Sequence, residues 1–180
     1  MNRFFKRAML PAVALFTISA GASRAPLQAQ TVNSEFLTNY AQVERKFSQL
    51  AEAIPFEKFS WRPMAGVRSV CEVFMHVAVD NYLLGKPFGA VAPKEMEGPT
   101  AEQCLSDKAK VVAAMKASFD AIKAGVGAMT AADAMQPYTL FGATQSKRAW
   151  LLATAEHAGE HLGQQIAYAR MNGIVPPWSK

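Results

Sequence analysis

Several things are scarce in this 180-residue chain, and each scarcity narrows the reading. Cys71 and Cys104 are its only cysteines, so at most one intramolecular disulfide can form. No stretch after the first 29 residues approaches the ~20 consecutive apolar residues that a membrane-spanning helix needs. No Lys/Arg cluster interleaved with aromatic residues is present outside the N-terminal segment, which removes the usual footprint of nucleic-acid binding. There is no internal repeat, no low-complexity tract and no sustained alternation of apolar and polar residues that would mark a strand. The scarcity of histidine is the most informative: His76, His157 and His161 are the whole complement, and none lies in a stretch that reads as loop or tail.

What is present begins with a leader. Arg3, Lys6 and Arg7 form a basic start, Ala8–Ala20 is apolar, and Ala20-Gly21-Ala22 or Leu27-Gln28-Ala29 supplies small residues for cleavage. This pattern reads as an export signal over residues 1–29, with a periplasmic or extracellular protein over 30–180. An uncleaved N-terminal membrane anchor is the alternative. The segment holds four of the 19 basic residues and no acid, so its removal takes the formal charge from +5 to +1. With 51% hydrophobic residues, the remainder suffices for one compact domain.

That domain reads as four amphipathic helices. Phe36, Tyr40, Val43, Phe47, Leu50 and Ile54 form one stripe over Ser34–Ala53, with Ser34 as cap and Pro55 as stop. Ser69-Val70-Cys71-Glu72 is a capping box opening a second helix that runs to Leu84, before Gly85 and Pro87. Thr100 caps a third, with Gln103 as its box partner, carrying Leu105, Val112, Met115, Phe119, Ile122 and Val126; Gly125 and Gly127 fray its end. Ala128–Thr144 reads as a loop. The fourth helix, Ser146 to Gly173, stacks Trp150, His157, His161, Gln164, Tyr168 and Met171 on one face. Together these predict an all-α four-helix bundle. On this layout Cys71 and Cys104 each open a helix. Consecutive antiparallel helices of ~24 Å start at opposite ends. The expected state is therefore two separate small core residues; a disulfide, which export permits, is the alternative.

His157 and His161 lie one turn apart, with Cβ atoms ~6 Å from each other. With His76 from a facing helix they can converge on one ion, leaving positions open for water or substrate. Three imidazoles suit Zn²⁺, Ni²⁺ or Fe²⁺ better than Mg²⁺ or Ca²⁺. Asp80, one turn beyond His76, can accept an imidazole N–H behind a ligand. Gln164 and Tyr168 can line a pocket or close a polar core. His157-Ala158-Gly159-Glu160-His161 also fits H-x-x-E-H, in which Glu160 would be a general base; the 19 residues that follow leave little room for that protease class's further ligand.

The segments WRPMAGVRSVCEVFMHVAVDNYLL (Trp61–Leu84) and EHAGEHLGQQIAYARMNGIVPPWS (Glu156–Ser179), with YTLFGATQSKRAWLL (Tyr138–Leu152) between them, resemble the DinB/YfiT-like superfamily of metal-binding four-helix bundles. The resemblance implies that His76, His157 and His161 form a facial metal triad, usually for zinc or nickel, in a chain that often dimerises. It also implies an activity of the kind known in relatives: thiol-dependent S-transfer with bacillithiol, or mycothiol-dependent maleylpyruvate isomerisation. There the metal activates a thiol. The leader is a departure from the family pattern, since those low-molecular-weight thiols are cytoplasmic. It leaves open a transferase or hydrolase acting on an unknown small molecule, or a non-catalytic binding or stress protein whose metal site is structural or vestigial.

Overall fold

The computed structural model describes residues 31–179; the export signal expected over residues 1–29 lies outside the described residues. Five α-helices and one hairpin follow in order: α1 Val32–Ala53, α2 Val70–Leu84, α3 Lys108–Ala128, the single turn α4 Ala131–Ala134, β1 Pro137–Leu140, β2 Ala143–Ser146 and α5 Lys147–Met171. The four long helices make the bundle. Helix α1 packs on α3 and α5, and α2 packs on the same two, so α1 and α2 stand across a diagonal. Connections that cross between non-neighbouring or offset helix ends need more chain than a tight turn, which accounts for the long loops. No helix among the described residues is long and apolar enough to cross a membrane.

Local sequence fixes the helix ends. Ser69 and Glu72 form the expected capping box on α2: the Ser69 hydroxyl accepts from Glu72 N–H, and the Glu72 carboxylate accepts from Ser69 N–H at 2.7 Å. Thr31, three residues before the expected Ser34, caps α1 by accepting from Ser34 N–H. Ser146 caps α5, and Gly173 takes the left-handed conformation (φ 75°) that ends it. At Gly85 the requirement is steric, since a Cβ would stand 2.6 Å from Asn81 O and from Ile122 Cδ1.

Three expectations need correction. Helix α3 starts at Lys108, capped by Asp107, not at Thr100. Residues 97–107 form turns and irregular chain with no helix, because Asp107 offers a stronger cap directly before an unbroken helical run. Gly125 does not fray that helix. Its missing Cβ admits Phe88 O, which would lie 2.3 Å from one, and the helix continues to Ala128. The supposed loop before α5 contains the hairpin, in which Pro137 pairs with Ser146 and Leu140 with Ala143. Phe141 and Gly142 turn it with φ of 53° and 76°, positive at both central positions as a two-residue hairpin turn requires. Four-residue strands are too short to show a period of two.

The fourth correction is covalent. Cys71 and Cys104 are joined, with Cα atoms 5.4 Å apart. Cys104 does not open a helix; it lies in the irregular segment that returns over the start of α2, so the end-to-end argument does not apply.

The centre is aromatic and aliphatic: Tyr40, Phe47, Phe74, Phe119, Leu50, Met115 and Ile122 are fully buried. One polar relay crosses it. Tyr40 Oη donates to Asn81 Oδ1 (2.6 Å), Asn81 Nδ2 to Ser118 Oγ (3.0 Å), and Ser118 Oγ to Met115 O (2.6 Å). The relay ties α1, α2 and α3 while leaving those buried groups paired.

Candidate metal centre

Helices α2 and α5 run antiparallel, which is visible in two long-range hydrogen bonds near the start of α2. Gln165 Nε2 donates to Val70 O (2.6 Å), and Tyr168 Oη donates to Arg68 O (3.2 Å). Moving inward from these, His76 on α2 comes opposite His157 and His161 on α5. The ring centroids lie 5.2 Å (His76–His157), 4.6 Å (His76–His161) and 4.6 Å (His157–His161) apart. The three residues each present one ligand nitrogen within 4.8 Å of the others. All three expected histidines therefore converge, and this cluster could hold a metal ion.

The fit can be tested on distance. Two nitrogens bound to one ion at ~2.0–2.1 Å with a tetrahedral angle stand about 3.3 Å apart. His76 Nε2 and His157 Nε2 are 3.3 Å apart. Tautomers agree with this arrangement. His76 Nδ1 is 2.9 Å from Glu102 Oε1, an acceptor when ionised, which puts the proton on Nδ1 and a lone pair on Nε2. His161 Nδ1 donates to Gln164 Oε1 (2.8 Å); Gln164 Nε2 in turn donates to Tyr168 Oη (3.0 Å), which fixes the amide's orientation. His157 Nδ1 is buried without a hydrogen-bond partner among the described residues, so the polar contacts of this ring gather on Nε2.

Asp80 faces the cluster. Its Oδ2 lies 3.0 Å from His157 Nε2 and 3.5 Å from His76 Nε2. Burial pushes this carboxyl up, but the His157 hydrogen bond and the neighbouring His76, His157 and Arg68 together hold it below its usual range. Glu102 behaves in the same way: burial raises it, while Arg68 and His76 outweigh that and lower it. Burial lowers His161, with His157 and His76 adding to the effect and Gln164 opposing it, so this ring stays neutral to more acidic pH than a free imidazole.

Of the other expected residues, Gln164 and Tyr168 form the chain behind His161 just described. Glu160 and Met171 are exposed, Met171 at 63%; Glu160 makes none of the site's hydrogen bonds among the described residues, as its rotation of ~100° from His161 implies. Sequence reasoning missed Glu102 and Arg68. Arg68 Nε donates to Glu102 Oε2 at 2.8 Å, and both line a cavity of about 640 Å³ together with Arg62, Gln103, His161 and Gln164. The signal that could have found Glu102 is its place two residues before Cys104, which the disulfide carries to the first turn of α2.

Fold and site thus define a four-helix bundle with a three-histidine cluster between two of its helices, able to hold a metal. The sequence profile of the DinB superfamily matches residues 39–165, and the chain belongs to that superfamily. No curated protein matches the chain. Among solved structures it is similar to a DinB-like protein from Bacillus cereus ATCC 10987, with TM-score 0.69 and 15% identity over 79% of this chain and 93% of that one. It is also similar to the DinB-like protein YjoA from Bacillus subtilis, with TM-score 0.61 and 19% identity over 77% of this chain and 92% of that one. Both likenesses concern the fold.

Proposed function

We propose that this protein is an exported metal-dependent transferase or hydrolase of small electrophilic molecules, with His76, His157 and His161 holding a divalent transition metal, zinc or nickel first and iron next. The observation that carries the reading is that the histidine cluster reaches solvent: His161 lines the cavity of about 640 Å³ while His76, its side chain 11% exposed, closes the inner side. A structural ion would need no such opening. A divalent ion held there would supply Lewis acidity that lowers the pKa of a coordinated water or thiol. The chain's own residues do the rest. Glu102 and Gln164 hold two imidazoles in the tautomer that leaves a lone pair inward, and Arg62 and Arg68 line the cavity paired with Glu72 and Glu102.

Export is supported by the basic-then-apolar pattern of residues 1–29 and is compatible with the disulfide, since such bonds persist in oxidising compartments. The test uses the untagged full chain. Elemental mass spectrometry of wild type, His76→Ala and His157→Ala should give near one equivalent of metal in wild type and a loss in both variants. The metal found then enters a screen of thiol–electrophile pairs and of esters and amides. A metal-loaded wild type no more active than His157→Ala would refute catalysis and leave a non-catalytic metal-binding bundle.

A further inference from the structure

The position of Asp80 differs in kind from that of the other polar groups around the histidines. A carboxylate that supports a metal-bound imidazole sits behind the ring, on the nitrogen that does not face the ion. Glu102 occupies that place at His76 Nδ1, and Gln164 the equivalent place at His161 Nδ1. Asp80 instead faces the two Nε2 atoms, the same atoms that face each other. Its Oδ2 and the two nitrogens form a triangle with sides of 3.0, 3.3 and 3.5 Å. One face of a ligand tetrahedron around an ion with bonds of ~2.0–2.2 Å has sides of about 3.3–3.5 Å.

Resting on the three-histidine reading, we propose that Asp80 is a fourth protein ligand, making the donor set three imidazoles and one carboxylate. Without an ion, His157 Nε2 stands 3.0 Å from Asp80 Oδ2 as a close charge-pair contact and shares a hydrogen bond with His76 Nε2 at 3.3 Å. Metal binding needs the lone pair of His157 Nε2, with the ring's single proton carried on Nδ1, and the Asp80 carboxylate lies beside that lone pair. Its charge offsets half of that of a divalent ion, in a place where Asp80 is itself largely shielded from water (side chain 22% exposed). Helix geometry supplies the pairing, because His76 and Asp80 are one turn apart on α2 as His157 and His161 are on α5.

The proposal narrows the chemistry of the site. A fourth protein ligand would leave one position fewer on the ion for a water, thiol or substrate atom. The approach would be from the cavity, which His161 lines and Asp80 does not. A carboxylate among imidazoles also brings Fe²⁺ and Mn²⁺ into competition with zinc and nickel, as oxygen donors suit them.

The full-length protein is titrated with Zn²⁺ against a chromophoric chelator, and with Co²⁺ followed by visible absorption, for wild type, Asp80→Ala, Asp80→Asn and Glu102→Ala. Loss of an outer partner weakens metal binding by about 10–100-fold, and Glu102→Ala should fall in that range with the Co²⁺ spectrum unchanged. Asp80→Ala should weaken Zn²⁺ binding further and alter the Co²⁺ band positions and intensities. Asp80→Asn, nearly isosteric, should alter the spectrum too, and decides the matter if the alanine variant does not fold. Asp80 variants that keep the wild-type Co²⁺ spectrum would overturn the fourth ligand while leaving the histidine site intact. A wild type that binds neither ion would overturn the histidine site itself, and the fourth ligand with it.

Discussion

Two opposite sides of the bundle meet in the same interior, yet the α1–α3 side and the α2–α5 side are built on opposite principles. Between α1 and α3, Tyr40 and Phe47 pack at a tilt against Phe119 with ring centroids 4.8 and 5.9 Å away, and Phe47 and Phe119 are fully buried. Between α2 and α5, nearer the surface, His76, Asp80 and His157 face one another with side chains 11%, 22% and 18% exposed. The first side gains from removing apolar area from water. The second loses hydration of polar groups and recovers it only through mutual hydrogen bonds or an ion. Stability should therefore reside mainly on one side and metal affinity on the other.

The largest effect that would break this division comes from Phe47→Ala, which should cost about 3–5 kcal/mol in urea unfolding. Metal bound per folded molecule should stay unchanged; a parallel fall would show that the sides are not separable. Replacing Cys71 and Cys104 together by alanine comes next, at about 2–4 kcal/mol from the freed 33-residue separation. This change crosses the division, because Glu102 would lose its tether, and chelator competition should show weaker Zn²⁺ binding as well.

His157→Ala sharpens the contrast from the other direction. In metal-free protein it should change stability by about 1 kcal/mol or less, the net worth of an ordinary hydrogen bond. The rise in melting temperature that added Zn²⁺ gives the wild type should vanish. The smallest effect is that of acid on the metal-free protein. Glu72 is held below its usual range chiefly by the Ser69 N–H, and Asp80 and Glu102 are also depressed in the fold. For a depressed carboxyl the unfolded chain binds more protons, so stability rises with pH across the interval between the two pKa values. The stabilisation is present above the ordinary carboxyl range near ~4 and fades as pH falls below it. Glu102→Gln should flatten that slope in a series of melts from pH 6 to pH 3.

The division also explains what could be read from the residues. The periodicity of α1, α2 and α5 placed Phe36, Tyr40, Phe47, His76, His157 and His161 on the correct inner faces, because a 3.6-residue repeat is a local property. The capping box at Ser69 and the stop at Gly173 are equally local. Glu102 was not legible. It belongs to no periodic segment, and its contact with His76 spans 26 residues through a loop held by a disulfide. The disulfide was misjudged for a related reason: Thr100 and Gln103 imitate a capping box, and the helix start placed there carried Cys104 to the wrong end of the bundle. Asp80 was placed on the correct helix turn, but only the approach of α5 shows which nitrogens it faces.

The separations along the chain have a consequence for how the site comes into being. His157 and His161 are complete as a pair once a single helix has formed, whereas His76 is 81 residues from His157. The last helix of the bundle must be synthesised and must close on α2 before the third nitrogen arrives, and such distant closure is among the slower steps of folding. Early in assembly an ion would meet only a loose two-point site on α5. Full grip arrives with the finished bundle, so retention of the ion would certify that folding is complete, and its escape would be an early sign that α5 has begun to part from α2.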